Sequence, residues 1–151
     1  VSIYSLTQYI KYRLKAKTRH GVHSPFVYGF IEKVLHQKGN SDNIPLSVKE
    51  DASLLQNKYR CLLTSIDNYC EPSAIHIALI TNVTKLAEQI PHLNSNAVVV
   101  VTAIYSSPAN AAAWIQLHSD AHVKLSIDIY GAGLLFFKKE FKEKQHFVLK
   151  Y

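Results

Sequence analysis

The seven residues Ala97–Ala103 (AVVVVTA) constrain the fold more than any other stretch of the chain. A continuous, β-branched apolar run is the pattern of a strand covered on both faces, and such strands belong to sheets flanked by helices. A shorter apolar run, Ala74–Ile80 (AIHIALI), precedes it, and between the two Val83, Leu86, Ala87 and Ile90 recur at helical spacing over Thr81–Leu93. The expected unit is strand, helix, strand, paired in parallel with a right-handed crossover. Ser107-Pro108 then supplies an N-cap and a proline at the first helical position, opening a helix with Ala111, Trp114, Ile115 and His118 on one side. Val123–Tyr130 alternates Val, Leu, Ile, Ile with Lys, Ser, Asp, Tyr, which predicts a half-exposed strand. Gly131-Ala132-Gly133 turns the chain into Leu134–Lys139, a terminal hairpin in which glycine is expected to supply positive φ. His146–Tyr151 (HFVLKY) is expected to add an edge strand.

Three helices are expected ahead of the first strand. Over residues 4–17, Leu6, Tyr9, Ile10 and Leu14 form the apolar face of an amphipathic helix. Ser24 caps a second helix, with Pro25 in its first position and Phe26, Val27, Phe30, Ile31, Val34 and Leu35 as its stripe, ending near Gly39. Residues 37–43 read as a loop. Ser47 and Glu50, with Pro45 just ahead, make a capping box for a long third helix running to Pro72, with Val48, Ala52, Leu55, Tyr59, Leu62, Leu63, Ile66 and Tyr69 as its buried face. The fold class is therefore α/β: a reduced Rossmann-like sheet of about four strands, parallel with an antiparallel terminal hairpin, and a helical N-terminal extension. One domain is expected over 1–151, helical over 1–72 and α/β over 73–151.

Composition narrows the class further. With 48% hydrophobic and 19% charged residues, the chain is that of a folded protein, and at 151 residues it can bury roughly 70% of its unfolded surface. No run approaches the ~20 apolar residues of a membrane span and no secretory signal opens the chain, so no membrane partner is expected. The chain starts at Val1 and holds no Met, so its initiator is expected upstream or removed. Cys61 and Cys70 have neither metal-type nor redox-type spacing, which fits a reducing cytoplasm.

The net charge of +6 is unevenly placed. Residues 1–60 carry ten Lys/Arg against four Asp/Glu, whereas residues 61–151 carry seven of each. Lys11, Arg13, Lys15, Lys17 and Arg19 all precede the first acid, Glu32. Such a block binds phosphates or an acidic partner, or else is a solvated helix face. The adjoining segment Arg19–Phe26 is dense in polar groups. Gly21 there can end the first helix and Ser24 cap the second, while Arg19, His20 and His23 could line an anion or partner site.

No complete catalytic set follows from the spacing. A nucleotide site wants a glycine-rich turn after the first strand and an acid for the ribose hydroxyls. The carboxyl ends of the two strands, where ligands of such sheets sit, instead offer Thr81 and Asn82 after the first and Thr102-Ala103 through Tyr105-Ser106 after the second. These make Thr81, Asn82 and Thr102 the weak candidates for cofactor contact. The sole G-x-G, Gly131–Gly133, joins two strands. Glu50-Asp51 reads as helix capping. His118 and His122 are four apart, but no Glu follows in a zinc-hydrolase pattern, so no metal site is expected. His76 reads as a satisfied core or edge histidine. No nucleophile elbow exists, and no catalytic residue is assigned.

Four stretches resemble one family. "RHGVHSPFVY" at Arg19–Tyr28, "KYRCLL…NYCEP" within Lys58–Pro72, "IYSSPANAAAW" at Ile104–Trp114 and "GLLFFKKEFKEKQHFVL" at Gly133–Leu149 look like bacterial class I S-adenosylmethionine-dependent methyltransferases. The resemblance implies a Rossmann-like sheet, with an acidic-Gly-x-x-x-Gly turn holding the cofactor and two acids closing the strand before "IYWS". Here those positions read Ile77-Ala78-Leu79-Ile80-Thr81 and Thr102-Ala103, and the chain is shorter than the family by roughly the ~100 residues of two or three βα units.

These readings set an expectation and two alternatives. The first is a degenerate, non-catalytic methyltransferase-like protein without a cofactor, acting as an interaction or scaffold module. Its contact surface would be the basic block Lys11, Arg13, Lys15, Lys17, Arg19, His20 and His23, with self-association or a protein partner expected through an exposed sheet edge. The second is an active methyltransferase with an atypical or subunit-shared S-adenosylmethionine site, which requires a deep pocket near Thr81, Asn82 and Thr102. The third is a nucleic-acid-binding module using Lys11–Arg19.

Overall fold

A computed structural model describes residues 2–37 and 39–151. Five strands form one sheet: β1 (Ile75–Leu79), β2 (Val98–Thr102), β3 (Leu125–Asp128), β4 (Ala132–Phe136) and β5 (Gln145–Val148), in the order β1-β2-β4-β3-β5. β1 pairs in parallel with β2, and β3 with β5, whereas β4 runs antiparallel to both β2 and β3. Four strands thus share one direction and β4 alone opposes them. Among the described residues the protein is α/β with a single mixed sheet of five strands, one more than the expected four or so. The β3–β4 hairpin forms, but β4 inserts into the interior instead of making an edge. β5 takes the edge, as the HFVLKY pattern predicts.

The alternation of β2 explains the layers. Val98 and Val100 enter one core with Phe30, Leu63, Ile66 and Phe136, while Val99 and Val101 enter a second with Leu86, Ile104, Trp114 and Leu135. The first core is roofed by α2 (Pro25–Phe30, continued by a π turn over Ile31–Leu35), α3 (Asn57–Arg60) and α4 (Leu63–Cys70). The second is roofed by α5 (Val83–Gln89) and α6 (Pro108–His118). Helices α2–α4 are therefore the second layer of the sheet, not an appendage to it.

Local capping chemistry reads true. Ser24 Oγ accepts from the Val27 amide at 3.3 Å and Ser107 Oγ from the Asn110 amide at 3.1 Å, each with proline at the next position. The long third helix does not form. Its apolar positions Ala52, Leu55, Tyr59, Leu62, Leu63 and Ile66 are all buried, but the backbone is a 3-10 turn (Ala52–Leu54), α3 and α4. The sheet takes the start of that segment: Val48 forms a bridge to Ile75, and the Ser47 carbonyl accepts the Ile75 amide at 2.8 Å. Ser47 Oγ donates to Asp67 and Glu50 accepts the Ile77 amide at 2.9 Å, so the capping box is absent. Asp51 does cap, accepting from the Ser53 amide at the head of the 3-10 turn.

Two further expectations change at the hairpin. Ser126 and Asp128 are 1% and 0% exposed, so β3 is buried on both faces, because α6 and its neighbours cover the face its polar residues line. The left-handed residue of the turn is Tyr130 (φ 76°), not a glycine. The glycines serve close approach instead. A Cβ on Gly131 would strike the Tyr59 ring, and one on Gly133 the Trp114 ring.

The first helix, α1 (Ile3–Lys15), has the predicted span but the opposite orientation. It buries Tyr12, whose hydroxyl donates to the Leu149 carbonyl and accepts the Tyr151 amide at 3.0 Å. Tyr4 donates to the Ser107 carbonyl at 3.1 Å, and the Tyr130 hydroxyl donates to the Ser5 carbonyl at 3.0 Å. Leu6, Ile10 and Leu14 face solvent. The surface that α1 covers presents the carbonyl after β5, at Leu149, and the α6 cap carbonyl of Ser107, to which tyrosine hydroxyls can donate and aliphatic side chains cannot. Gly21 does not end α1. It lies in a separate 3-10 turn over Arg19–Gly21.

Candidate functional site

The carboxyl ends of β1 and β2 open into a cleft of about 300 Å³ lined by Leu55, Tyr59, Leu79, Thr102, Tyr105 and Tyr130 among others. Two of its lining residues have left-handed backbone, Ala103 (φ 61°) and Tyr130 (φ 76°), and the Ala103 amide donates to the carbonyl of Gly131, next to Tyr130, at 3.3 Å. Such conformations cost on the order of 1–3 kcal/mol each in non-glycine residues and persist only where the surroundings enforce them. Tyr105 and Tyr130 stack at 5.6 Å between ring centroids, and Tyr130 also packs against Tyr9 and Tyr12. Thr102 Oγ1 is buried and has no hydrogen-bond partner among the described residues.

Beneath the cleft lies Asp128, a residue the sequence did not single out. It is fully buried and accepts from the Tyr105 hydroxyl, the Tyr130 amide at 2.9 Å and Trp114 Nε1 at 3.4 Å. Burial pushes its carboxyl above the usual carboxylate range, and the three donors partly oppose that shift. Burial and the neighbouring Asp128 also raise the Tyr105 phenol. The alternation of β3 placed Asp128 on its polar face; only the covering of that face reveals it. Its hydrogen bonds join β3, α6 and the cleft lining, which is a positioning arrangement.

Thr81, Asn82 and Thr102 are not brought together. Thr102 lines the cleft, whereas Thr81 and Asn82 are exposed in a 3-10 turn over Ile80–Asn82 whose Ile80 is fully buried. Asn82 contributes to a larger groove of about 650 Å³ along the side of β1 away from β2. There Leu54, Ile77, Leu79, Leu86 and Leu93 supply the apolar wall, and Glu50 pairs with His76 Nδ1 at 2.9 Å.

The basic block is exposed throughout: Lys11, Arg13, Lys15, Lys17, Arg19, His20 and His23 all face solvent. Arg19 is engaged, its guanidinium 2.8 Å from Glu32, which raises the Arg19 pKa and lowers that of Glu32. Lys11, Arg13, Lys15 and Lys17 form no ion pair among the described residues. His20 and His23 are exposed and make no side-chain hydrogen bond among the described residues.

His118 and His122 are drawn apart. His122 pairs with Asp120 at 2.9 Å, while His118 stacks on His146 with centroids 4.0 Å apart and planes 7° from parallel. His146 Nδ1 lies 2.7 Å from Ser126 Oγ, and burial with the nearby His118 lowers its pKa to about 4. No group of three or more His, Cys, Asp or Glu side chains among the described residues could hold a metal ion. Cys61 and Cys70 are free thiols, and burial raises Cys70 to about 12.

Fold and site together define an α/β protein with a tyrosine-walled cleft at its strand ends and a cationic first helix. Compared with known proteins, the chain matches no family model, no curated protein and no solved structure.

Proposed function

We propose that this chain is a reduced, Rossmann-like and methyltransferase-like protein that transfers no methyl group and serves as an interaction module. One observation carries the reading. Where a nucleotide cofactor needs close backbone approach after β1, the chain passes from Leu79 into a 3-10 turn anchored by the fully buried Ile80. After β2 the cleft wall is Thr102, Ala103 and Tyr105, and the nearest acid, Asp128, is committed to three internal donors. Nothing acidic in the cleft lining is left to hold ribose hydroxyls. The contact surface of the module is the N-terminal helix with Lys11, Arg13, Lys15 and Lys17.

Isothermal titration calorimetry of the full chain with S-adenosylmethionine is expected to give no saturable heat. Tight binding, with methyl transfer to any acceptor, would overturn the reading. A second reading, an active methyltransferase with an atypical site, is favoured by the unpartnered Thr102 hydroxyl at the cleft. It predicts that Thr102→Val removes cofactor binding. The nucleic-acid reading uses the same four cations but gives no role to the aliphatic residues between them.

A further inference from the structure

We infer that α1 is an interfacial helix that docks this protein on an anionic lipid surface. The inference deepens the interaction-module reading by naming what the module contacts. Its basis is the orientation forced on α1 by the inward tyrosines. With Tyr4 and Tyr12 bonded to the Ser107 and Leu149 carbonyls, the opposite side of the helix must face away from the protein. That side carries Ile3, Leu6, Ile10 and Leu14, exposed by 86%, 54%, 51% and 82%.

At about 100° per residue these four side chains fall within a sector of roughly 80°, a ridge about 16 Å long. Lys11 lies on one flank of the ridge and Arg13 on the other, with Lys15 further round toward the protein and Lys17 just beyond the helix end. Thr7, the polar residue nearest the ridge, donates its hydroxyl to the Ile3 carbonyl at 2.8 Å, so its proton is satisfied within the helix. Aliphatic side chains flanked by long cations are the arrangement that sits in a headgroup layer, apolar face down and cations reaching phosphate.

Charge decides between occupants. No acid occurs before Glu32, and Glu32 is paired with Arg19. Pairing α1 with a second copy would bring the unpaired Lys11, Arg13, Lys15 and Lys17 of each chain together, which opposes a homodimer through this face. An anionic bilayer complements the ridge and its flanks at once. The absence of any described helix long and apolar enough to cross a membrane does not bear on surface docking.

The test is cosedimentation of the full chain with phosphatidylcholine vesicles, with and without phosphatidylglycerol, at low and high salt. Binding is expected to the phosphatidylglycerol vesicles and to weaken with salt. Leu6→Ser with Ile10→Ser should lower partitioning at least tenfold. Lys11→Gln with Arg13→Gln should lower it about fivefold per cation on anionic vesicles only. Circular dichroism melts should match wild type, since all four positions are exposed. Leu6→Trp provides a second readout, with its emission shifting blue on vesicles. Absence of vesicle binding would overturn the inference, as would binding unaffected by Leu6→Ser/Ile10→Ser. It would equally be overturned if that double variant abolished self-association or capture by an acidic protein or duplex DNA while vesicles stayed unbound. Saturable S-adenosylmethionine binding alongside intact vesicle docking would overturn the loss-of-cofactor reading and leave this one standing.

Discussion

Replacing Asp128 by Ala and by Asn separates the two things a buried carboxylate can do. Asp128 is 0% exposed and takes hydrogen bonds from the Tyr105 hydroxyl, the Tyr130 amide and Trp114 Nε1. Asp128→Ala strands those donors. Tyr105 is only partly buried and can turn toward solvent, so its loss costs little. The indole, on a ring 1% exposed, remains dry, the half-buried Tyr130 amide loses its partner at the cleft, and an unsatisfied buried donor costs about 1–3 kcal/mol. The indole contact is long at 3.4 Å and contributes at the lower end. Removing the desolvated carboxylate returns part of its own burial penalty. The net expectation is a loss of about 2–3 kcal/mol, or a melting point lower by about 5–10 °C for a chain of this size.

Asp128→Asn keeps an oxygen for the Tyr130 amide and can donate to the Tyr105 hydroxyl, but sets its amide nitrogen against Trp114 Nε1, so it should cost about 1–2 kcal/mol, less than Asp128→Ala. The pH dependence follows from the raised carboxyl pKa. Between the unfolded and the higher folded pKa the native state binds more protons, so lowering pH through that window stabilises wild type relative to Asp128→Asn. Urea denaturation followed by circular dichroism, at pH 7 and in steps toward acid, measures both effects. Equal destabilisation by the two variants, or none by Asp128→Ala, would refute the account of Asp128 as an acceptor shared by β3, α6 and the cleft lining.

Other perturbations test the packing and the edges. Gly133→Ala places a methyl group in the Trp114 ring and should cost about 1–3 kcal/mol or more, read as a lower urea midpoint; a neutral result would mean that the β4–α6 contact is looser than described. Tyr12→Phe removes a hydroxyl that donates to the Leu149 carbonyl and accepts the Tyr151 amide, so about 1–2 kcal/mol should be lost and amide exchange in α1 should speed up. His146 is held neutral in the fold with its pKa lowered to about 4. Below its ordinary value near 6.5, the unfolded chain takes the proton and the native state does not. Stability should therefore fall as pH drops from about 6.5 to about 4. Because the ring also meets solvent, the loss should be about 1 kcal/mol, less than the full shift implies. His146→Gln should flatten that segment of the curve in the same urea series.

How legible the protein is from its sequence varies with the distance over which each choice is made. The Ser24 and Ser107 caps, the strands β1 and β2 and the helix between them follow from neighbours three or four residues apart, or from a run that suits burial on both faces. The broken segment from Ser47 to Cys70 shows the limit. Six of its eight predicted apolar positions are buried as the helical period requires, yet no glycine or proline between Leu46 and Glu71 marks where Val48 leaves the helix to pair with Ile75. The cleft was legible as the strand end Thr102–Ser106; Asp128 and Tyr130 were invisible because their roles depend on contacts between β3, α6 and the turn before β4.

By itself the sequence determined an α/β layering, the capped helices, the strands at 75–79 and 98–102, and a cationic first helix. Tertiary structure decided the insertion of β4 between β2 and β3, the burial of Asp128, and which face of α1 points outward. The physical reason is the same in each case. Periodicity reports that a face is apolar, but what it meets depends on chain distant in sequence. For α1 the partners are the carbonyls of Ser107 and Leu149, more than a hundred residues on, to which hydroxyl groups donate where methyl groups cannot.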